Sequence, residues 1–472
     1  MEMQRFSPDI CPRSADDRPD SWEKPMGMSF SDLRRRHLRF FAATAAFVLV
    51  LGGFGTAAWR ELETRAAFAG TEETPPQKLP PVPVPGPLSR PRSLEVIGAP
   101  VQQIMAEIPA DNPQTPEKIA LGEKLFFDPR LSIDDTVACA SCHNPERAFT
   151  DGRTTSVGVK GRVGQRNSPT IMNALFNKKQ FWDGRANTLE DQVGMPVTNP
   201  SEMGQPSVEA AAAKIAAIPE YRQAFQQVFG EAPNALNLSR AIASYERTLI
   251  SFDSPFDHFI AGDPNAIDDA ARRGWALFNG KAHCDRCHAS VNMDAAYFTD
   301  FDFHNIGIGI IRHNVVPLAR QAMRLVKTGD LTAIDRTAIQ ADLSVLGRFL
   351  LTRKEADIAS FKTPNLRNVL VTAPYFHDGS QETLWDVMDH YNKGGGLKNP
   401  WLDEDIEPLA LTENDIDDLV AFLVSLTGAE YKEIGDKEYA RQRALSRNSR
   451  PQRDTARAFR PKPTQPKPPR LN

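Results

Sequence analysis

Residues 137–149 read VACASCHNPERAF, and the pattern inside them, Cys-x-x-Cys-His, returns at residues 282–291 in AHCDRCHASV. Four of the five cysteines belong to these two pentads: Cys139 and Cys142 with His143, then Cys284 and Cys287 with His288. The fifth, Cys11, lies near the N-terminus. Two cysteines at this spacing match the separation of the vinyl groups of a haem, and the histidine that follows reaches the iron from below. Zinc ribbons place their cysteine pairs a short loop apart, and a thioredoxin-like pair needs a βαβ setting that this sequence lacks. The pentads therefore predict two covalently bound haem c groups, with His143 and His288 as proximal ligands.

What occupies the opposite face of each iron separates an electron carrier from a catalyst. The chain has nine histidines, and none falls between His143 and His258. The first haem is left with Met172, Met195 and Met203 as nearby soft ligands, or with none. An open first site is the expectation.

The 472 residues, 41% of them hydrophobic, are enough for two or three domains with a sizeable core. A net charge of −4 gives no sign of a nucleic-acid partner. Residues 1–37 form a polar leader, and 38–59 an apolar run preceded by Arg34, Arg35 and Arg36. The run is long enough to span a bilayer, and the positive-inside bias sends everything after it out of the cytoplasm, whether it is kept as an anchor or cleaved as a signal. The expected location is periplasmic, tethered to the inner membrane. Residues 60–115 include TEETPPQKLPPVPVPGPLSRPRSLE at 71–95, which reads as a proline-rich spacer. Residues 436–472 are basic, proline-containing and poor in aliphatics, and are expected to be disordered.

Between these ends the periodicity is helical. TPEKIALGEKLFFD opens on a threonine cap, PSVEAAAAKIAAIPEYRQAFQQVFG breaks at Pro219, and LNLSRAIASYERTLISF and DDAARRGWALFNG are amphipathic. Leu121, Gly122, Leu125 and Phe126 before the first pentad echo Arg273, Gly274, Leu277 and Phe278 before the second, a faint internal repeat. The fold class is mostly α. Residues 314–346 read as extra helix with no visible chemistry.

The pentads, with RNSPTIMNALFNKKQFWDGRANTLEDQVGMPVTNPSEM (166–203) and FKTPNLRNVLVTAPYFHDGSQETLWDVMDHYNKGGG (361–396), resemble the bacterial di-haem cytochrome c peroxidases and their MauG-type relatives over roughly 116–430. The resemblance implies two cytochrome c-like domains packed together, here 116–262 with the peroxidatic haem and 263–435 with the electron-transfer haem, and calcium between them. It implies that Trp182 relays electrons, that Glu202 and Gln192 stand over the peroxidatic iron, and that Asn167 with the carbonyls of Thr372 and Pro374 binds calcium. A desolvated carboxylate beside a haem suits the proton transfer that splitting a peroxide requires. Two positions depart from the reductively activated peroxidases. Val159 stands where they carry a blocking histidine, and Tyr391 stands where they place a methionine ligand, as in MauG-type enzymes; Met388, one helical turn earlier, competes with Tyr391. His377 is implied to be structural.

The expected activity is reduction of hydrogen peroxide at a five-coordinate first haem, with electrons from a small cytochrome c or cupredoxin. The alternatives are MauG-type oxidation of tryptophan or tyrosine in a partner protein, and a non-catalytic di-haem electron carrier.

Overall fold

Thr115 begins the ordered helical body: its hydroxyl accepts a hydrogen bond from the Lys118 amide, and Pro116 sits in the first turn, where its missing N–H costs nothing. The computed structural model describes residues 81–458 apart from 94, 290–296, 311–313, 327–329, 341 and 397–398. The chain divides into a unit Met1–Pro75, which lies outside the described residues together with the expected leader and apolar run, and a unit Pro76–Asn472. Among the described residues no helix is long and apolar enough to cross a membrane.

The helices are α1 (Val101–Ala106), α2 (Pro116–Phe126), α3 (Cys139–Cys142), α4 (Leu189–Thr198), α5 (Val208–Ala216), α6 (Pro219–Phe229), α7 (Ala235–Glu246), α8 (Pro255–Ile260), α9 (Asp269–Phe278), α10 (Val315–Leu325), α11 (Leu331–Ala338), α12 (Phe349–Thr352), α13 (Leu384–Asn392), α14 (Glu413–Val424) and α15 (Lys432–Ala458). Among the described residues sheet is confined to the two-residue strands β1 (Phe303–His304) and β2 (Phe361–Lys362), antiparallel with Phe303 opposite Lys362. The mostly helical expectation holds, and the break at Pro219 falls between α5 and α6.

Two helix crossings organise the body. A Cβ on Gly122 of α2 would stand 1.9 Å from the Ala241 carbonyl oxygen of α7, and a Cβ on Gly274 of α9 would stand 1.9 Å from the Asp418 carbonyl oxygen of α14. Only glycine permits backbones this close. The next neighbour is a ring-bearing residue in both cases, Tyr245 and Phe422, each with its Cβ at 2.9 Å. The faint repeat of the sequence is therefore one helix pair built twice.

The repetition extends much further. From Asn167 to Thr188 each residue has a mate at constant spacing in Lys362 to Thr383. Asn173 and its mate Asn368 both sit at φ 61°, ψ 17°. Isolated antiparallel bridges join Gln180 to Ala186 and Tyr375 to Gln381. Thr188 and Thr383 then cap α4 and α13 through their hydroxyls. One hydrophobic core runs through both halves, including Leu125, Phe126, Phe149 and Tyr245 on one side and Phe278, Phe298, Trp385 and Phe422 on the other.

Two expectations are revised. The spacer assigned up to residue 115 is packed on the body from Pro87 onward: Ser89 is buried, its carbonyl accepts from Tyr245 Oη at 2.6 Å, and Ile104 joins a cluster with Phe176, Phe252 and Tyr297. Its prolines leave side chains and carbonyls free to dock, and Val101–Ala106 forms the short helix α1 that carries Ile104. The tail assigned as disordered from residue 436 begins as α15, which runs to Ala458. A few positions anchor it: Gln442 is buried, accepts from the Leu384 amide at 2.9 Å and donates to Tyr375 Oη at 2.8 Å, while Arg443 pairs with Asp417. Mean composition concealed this docked face.

Candidate active site

Each pentad histidine is presented in the same way. His143 caps α3, and its Nδ1–H donates to the Phe149 carbonyl at 3.0 Å; His288 Nδ1–H donates to the Phe298 carbonyl at 2.8 Å. Both acceptors belong to phenylalanines with positive φ, 60° and 55°, a conformation that turns the carbonyl toward the ring. Burial lowers the pKa of both histidines, which favours a neutral imidazole that donates from Nδ1 and keeps a lone pair on Nε2. A ring held by its outer nitrogen with the other left free is the arrangement of a metal-ligating histidine. Cys139, Cys142, Cys284 and Cys287 are all free thiols. Burial pushes Cys142 and Cys284 up to about 12, and Cys139 higher still. This donor set fits two haem c groups.

A cavity of about 370 Å³, mostly apolar, is lined by Cys142, His143, Cys284, Cys287 and His288 together with Trp182, Gln192, Glu202, Met388 and Tyr391. The structure thus gathers around one space the residues that the sequence singled out. Glu202 arrives on a turn after α4: the Asn199 carbonyl accepts from the Glu202 amide at 3.0 Å and from the Gly204 amide at 2.9 Å. Val159 is buried, and its N–H donates to the Glu202 carbonyl at 2.8 Å, so the loop expected to lack a blocking histidine abuts the acid. Asn199 Nδ2 donates to Glu202 Oε1 at 2.6 Å. Burial, aided by the Asp335 carboxylate and opposed by Arg185, raises the Glu202 pKa to about 7. Gln192 projects from α4 into the same cavity.

Trp182 Nε1–H donates to the Asn167 carbonyl at 2.9 Å, and the Trp182 carbonyl accepts from the Lys362 amide at 2.7 Å. The indole is thereby fixed where the two halves meet. Asn167 Nδ2 is committed to the Arg153 carbonyl at 2.8 Å, which leaves Oδ1 as an available acceptor. Asn167, Thr372 and Pro374 all line the cavity. Three uncharged oxygens are a donor type that suits calcium.

Tyr391 and Met388 both face the cavity from α13, one turn apart. Burial holds the Tyr391 phenol well above its usual range. Its helical neighbour is committed elsewhere: His390 Nε2 pairs with the Ile306 carbonyl at 2.8 Å. His377 is buried and stacked on Phe361 at 3.5 Å, His258 pairs with Asp253, and His304 lies between Asp300 and Asp403. His283 lines the cavity, and His313 lies outside the described residues. The register of the repeat adds a contrast between the halves, because Tyr391 has Pro196 as its mate and Met388 has Val193. Neither mate carries a ligating atom.

Three groups at the cavity were not singled out in sequence. Arg185 lines the cavity near Glu202 and is paired with Asp183 at 3.1 Å and with Asp335 at 2.9 Å. Asp335 comes from α11, inside the segment expected to hold no chemistry. Glu246, at the end of α7, also lines the cavity, and burial raises its pKa to about 8. The WDGR run gave a signal for Asp183 and Arg185; nothing local marks Asp335 or Glu246.

A family model described as di-haem cytochrome c peroxidase matches residues 116–265. The methylamine utilization protein MauG of Methylorubrum extorquens is 39% identical over 320 residues, 67% of this chain and 80% of that protein. The cytochrome c peroxidase Ccp of Escherichia coli is 37% identical over 348 residues, 72% of this chain and 63% of that protein. The crystal structure of a MauG-like protein associated with microbial copper homeostasis superposes with a TM-score of 0.56 at 32% identity, covering 69% of this chain and 93% of that one. With paired histidines, free thiols and a shared cavity in place, these similarities establish that the chain belongs to the di-haem cytochrome c peroxidase and MauG family, as a peroxidase-like haem c oxidoreductase.

Proposed function

We propose that the protein reduces hydrogen peroxide in the lobe carrying His143, with electrons delivered through the lobe carrying His288. Bound haem c supplies the iron that exchanges electrons with peroxide. The net reaction is H2O2 with two electrons and two protons giving two waters, so the polypeptide must move protons as well as position the substrate. Glu202, with a pKa near neutrality, would take a proton from one peroxide oxygen and return it to the departing one. Gln192 orients the peroxide, and Asn199 holds the acid in place through its 2.6 Å bond. Trp182, lining the cavity where the lobes meet, would serve as the electron relay, and Tyr391 is the residue that would hold the second haem opposite His288. Asn167, Thr372 and Pro374 would hold calcium, which would brace the same interface.

The observation that carries this reading is the asymmetry of the repeat: Pro196 and Val193, which carry no ligating side-chain atom, stand where the other lobe offers Tyr391 and Met388, while Glu202 and Gln192 line the cavity. The second reading, oxidation of a tryptophan or tyrosine in a partner protein, is favoured by Tyr391 and by the 39% identity to MauG. Periplasmic location and tethering through residues 38–59 remain part of the proposal.

Electron paramagnetic resonance of the resting oxidised protein, followed by rapid mixing with one equivalent of peroxide, tests the reading. A high-spin component that is lost within seconds of mixing is expected. Two low-spin haems indifferent to peroxide would make the protein an electron carrier.

A further inference from the structure

The halves meet through a reciprocal pair of hydrogen bonds. The Asn167 amide donates to the His377 carbonyl at 2.8 Å, and the Lys362 amide donates to the Trp182 carbonyl at 2.7 Å. In the register of the repeat Lys362 is the mate of Asn167, and His377 is the mate of Trp182. One bond is therefore the other turned about a pseudo-twofold axis, as in an isologous dimer interface. Another pair of mates faces each other at that axis, the Arg166 guanidinium lying 5.3 Å from the centre of the Phe361 ring.

The same rotation carries Thr372 onto Asn177 and Pro374 onto Lys179. The oxygen set Asn167, Thr372 and Pro374 thus has a counterpart on the other side of the axis, in which the leading member is a lysine. Lys362 lines the same cavity, and its Nζ points to Asn177 Oδ1 at 3.5 Å. Among the described residues it forms no ion pair with a carboxylate, and burial alone lowers its pKa, to about 8. A half-buried ammonium with only a neutral oxygen partner does not brace the fold as an ion pair would, and an ammonium offers a point charge to surrounding oxygens much as a small metal cation does.

We propose that the Lys362 ammonium is a built-in cation, filling across the pseudo-twofold axis the place that an exchangeable calcium ion takes beside Asn167. The two halves then carry one fixed and one removable positive charge about the axis, and the Lys362 charge persists at any calcium concentration. This rests on the calcium site proposed above.

Calcium uptake by the haem-loaded, chelator-stripped protein tests it, read by isothermal titration and by the thermal midpoint with and without calcium. Wild type is expected to bind one ion and Lys362→Asn two. Asn167→Lys is expected to bind none, with a midpoint unaffected by calcium. A folded Lys362→Asn protein that still binds one ion, or an Asn167→Lys protein that still takes up calcium, overturns the inference while leaving the calcium site intact. Should Lys362→Asn fail to fold, the Asn167→Lys result decides alone. Wild type that binds no calcium removes the calcium site itself, and this inference with it.

Discussion

Replacing Glu202 by glutamine removes the one acid that the turn after α4 holds in the cavity near neutrality. Burial is the main reason its pKa stands at about 7, Asp335 adds to it, and Arg185 opposes it. The peroxide reaction needs the ionised form first. Second-order rates for the wild type therefore rise about tenfold per pH unit below the pKa and level off about one unit above it. General acid–base contributions of this kind are worth about 10²- to 10⁴-fold. Glu202→Gln is expected to lower the rate of peroxide reaction by that factor and to flatten its pH profile, with both haems retained. Asp335→Asn provides a second arm: it removes the carboxylate that raises Glu202 and leaves Arg185 with one partner fewer, so the inflection moves below pH 7 while the plateau rate is kept. Stopped-flow absorbance at the Soret band from pH 5 to 9 reads both. A Glu202→Gln rate within about threefold of wild type, against the span expected for a general acid–base group, would refute the role assigned to this carboxylate. So would a wild-type inflection at an ordinary carboxylate value.

The two helix crossings make a paired prediction: Gly122→Ala and Gly274→Ala each force a Cβ to within 1.9 Å of a backbone carbonyl oxygen. Each is expected to cost roughly 1–3 kcal/mol in denaturant unfolding, with similar values because the sites are mates. Equal stability of either variant and wild type would contradict the close crossing. Tyr391→Phe is expected to change the resting spectrum of the second haem, whereas Met388→Leu, a near-isosteric swap, leaves it intact at a stability cost below about 1.5 kcal/mol. The opposite pattern in resonance Raman spectra would transfer the ligand role to Met388.

The pentads, the capped amphipathic helices and the run from Asn167 to Glu202 could be read without coordinates, because covalent haem attachment and helix capping depend on residues only a few positions apart. The long repeat was also latent in the sequence. Pro169 and Pro364, Asn173 and Asn368, and Gly184 and Gly379 are mates that kept their identity at positions where backbone conformation demands it. Most other mates diverged, which hid the register from a reading by similarity. The docking of the segment after Pro87 and of α15 was hidden for a different reason: a few buried anchors such as Ser89 and Gln442 decide it, and average composition does not register them.

Sequence by itself determined the two Cys-x-x-Cys-His pentads and the helical class, since each is a property of short stretches of chain. Tertiary structure alone decided that Asp335 of α11 adjusts the charge around Glu202, that Glu246 is buried at the same cavity, and that Lys362 stands across a pseudo-twofold axis from Asn167. Electrostatic coupling and symmetry depend on separation in space, and the folding that brings these residues together leaves no local mark on any of them.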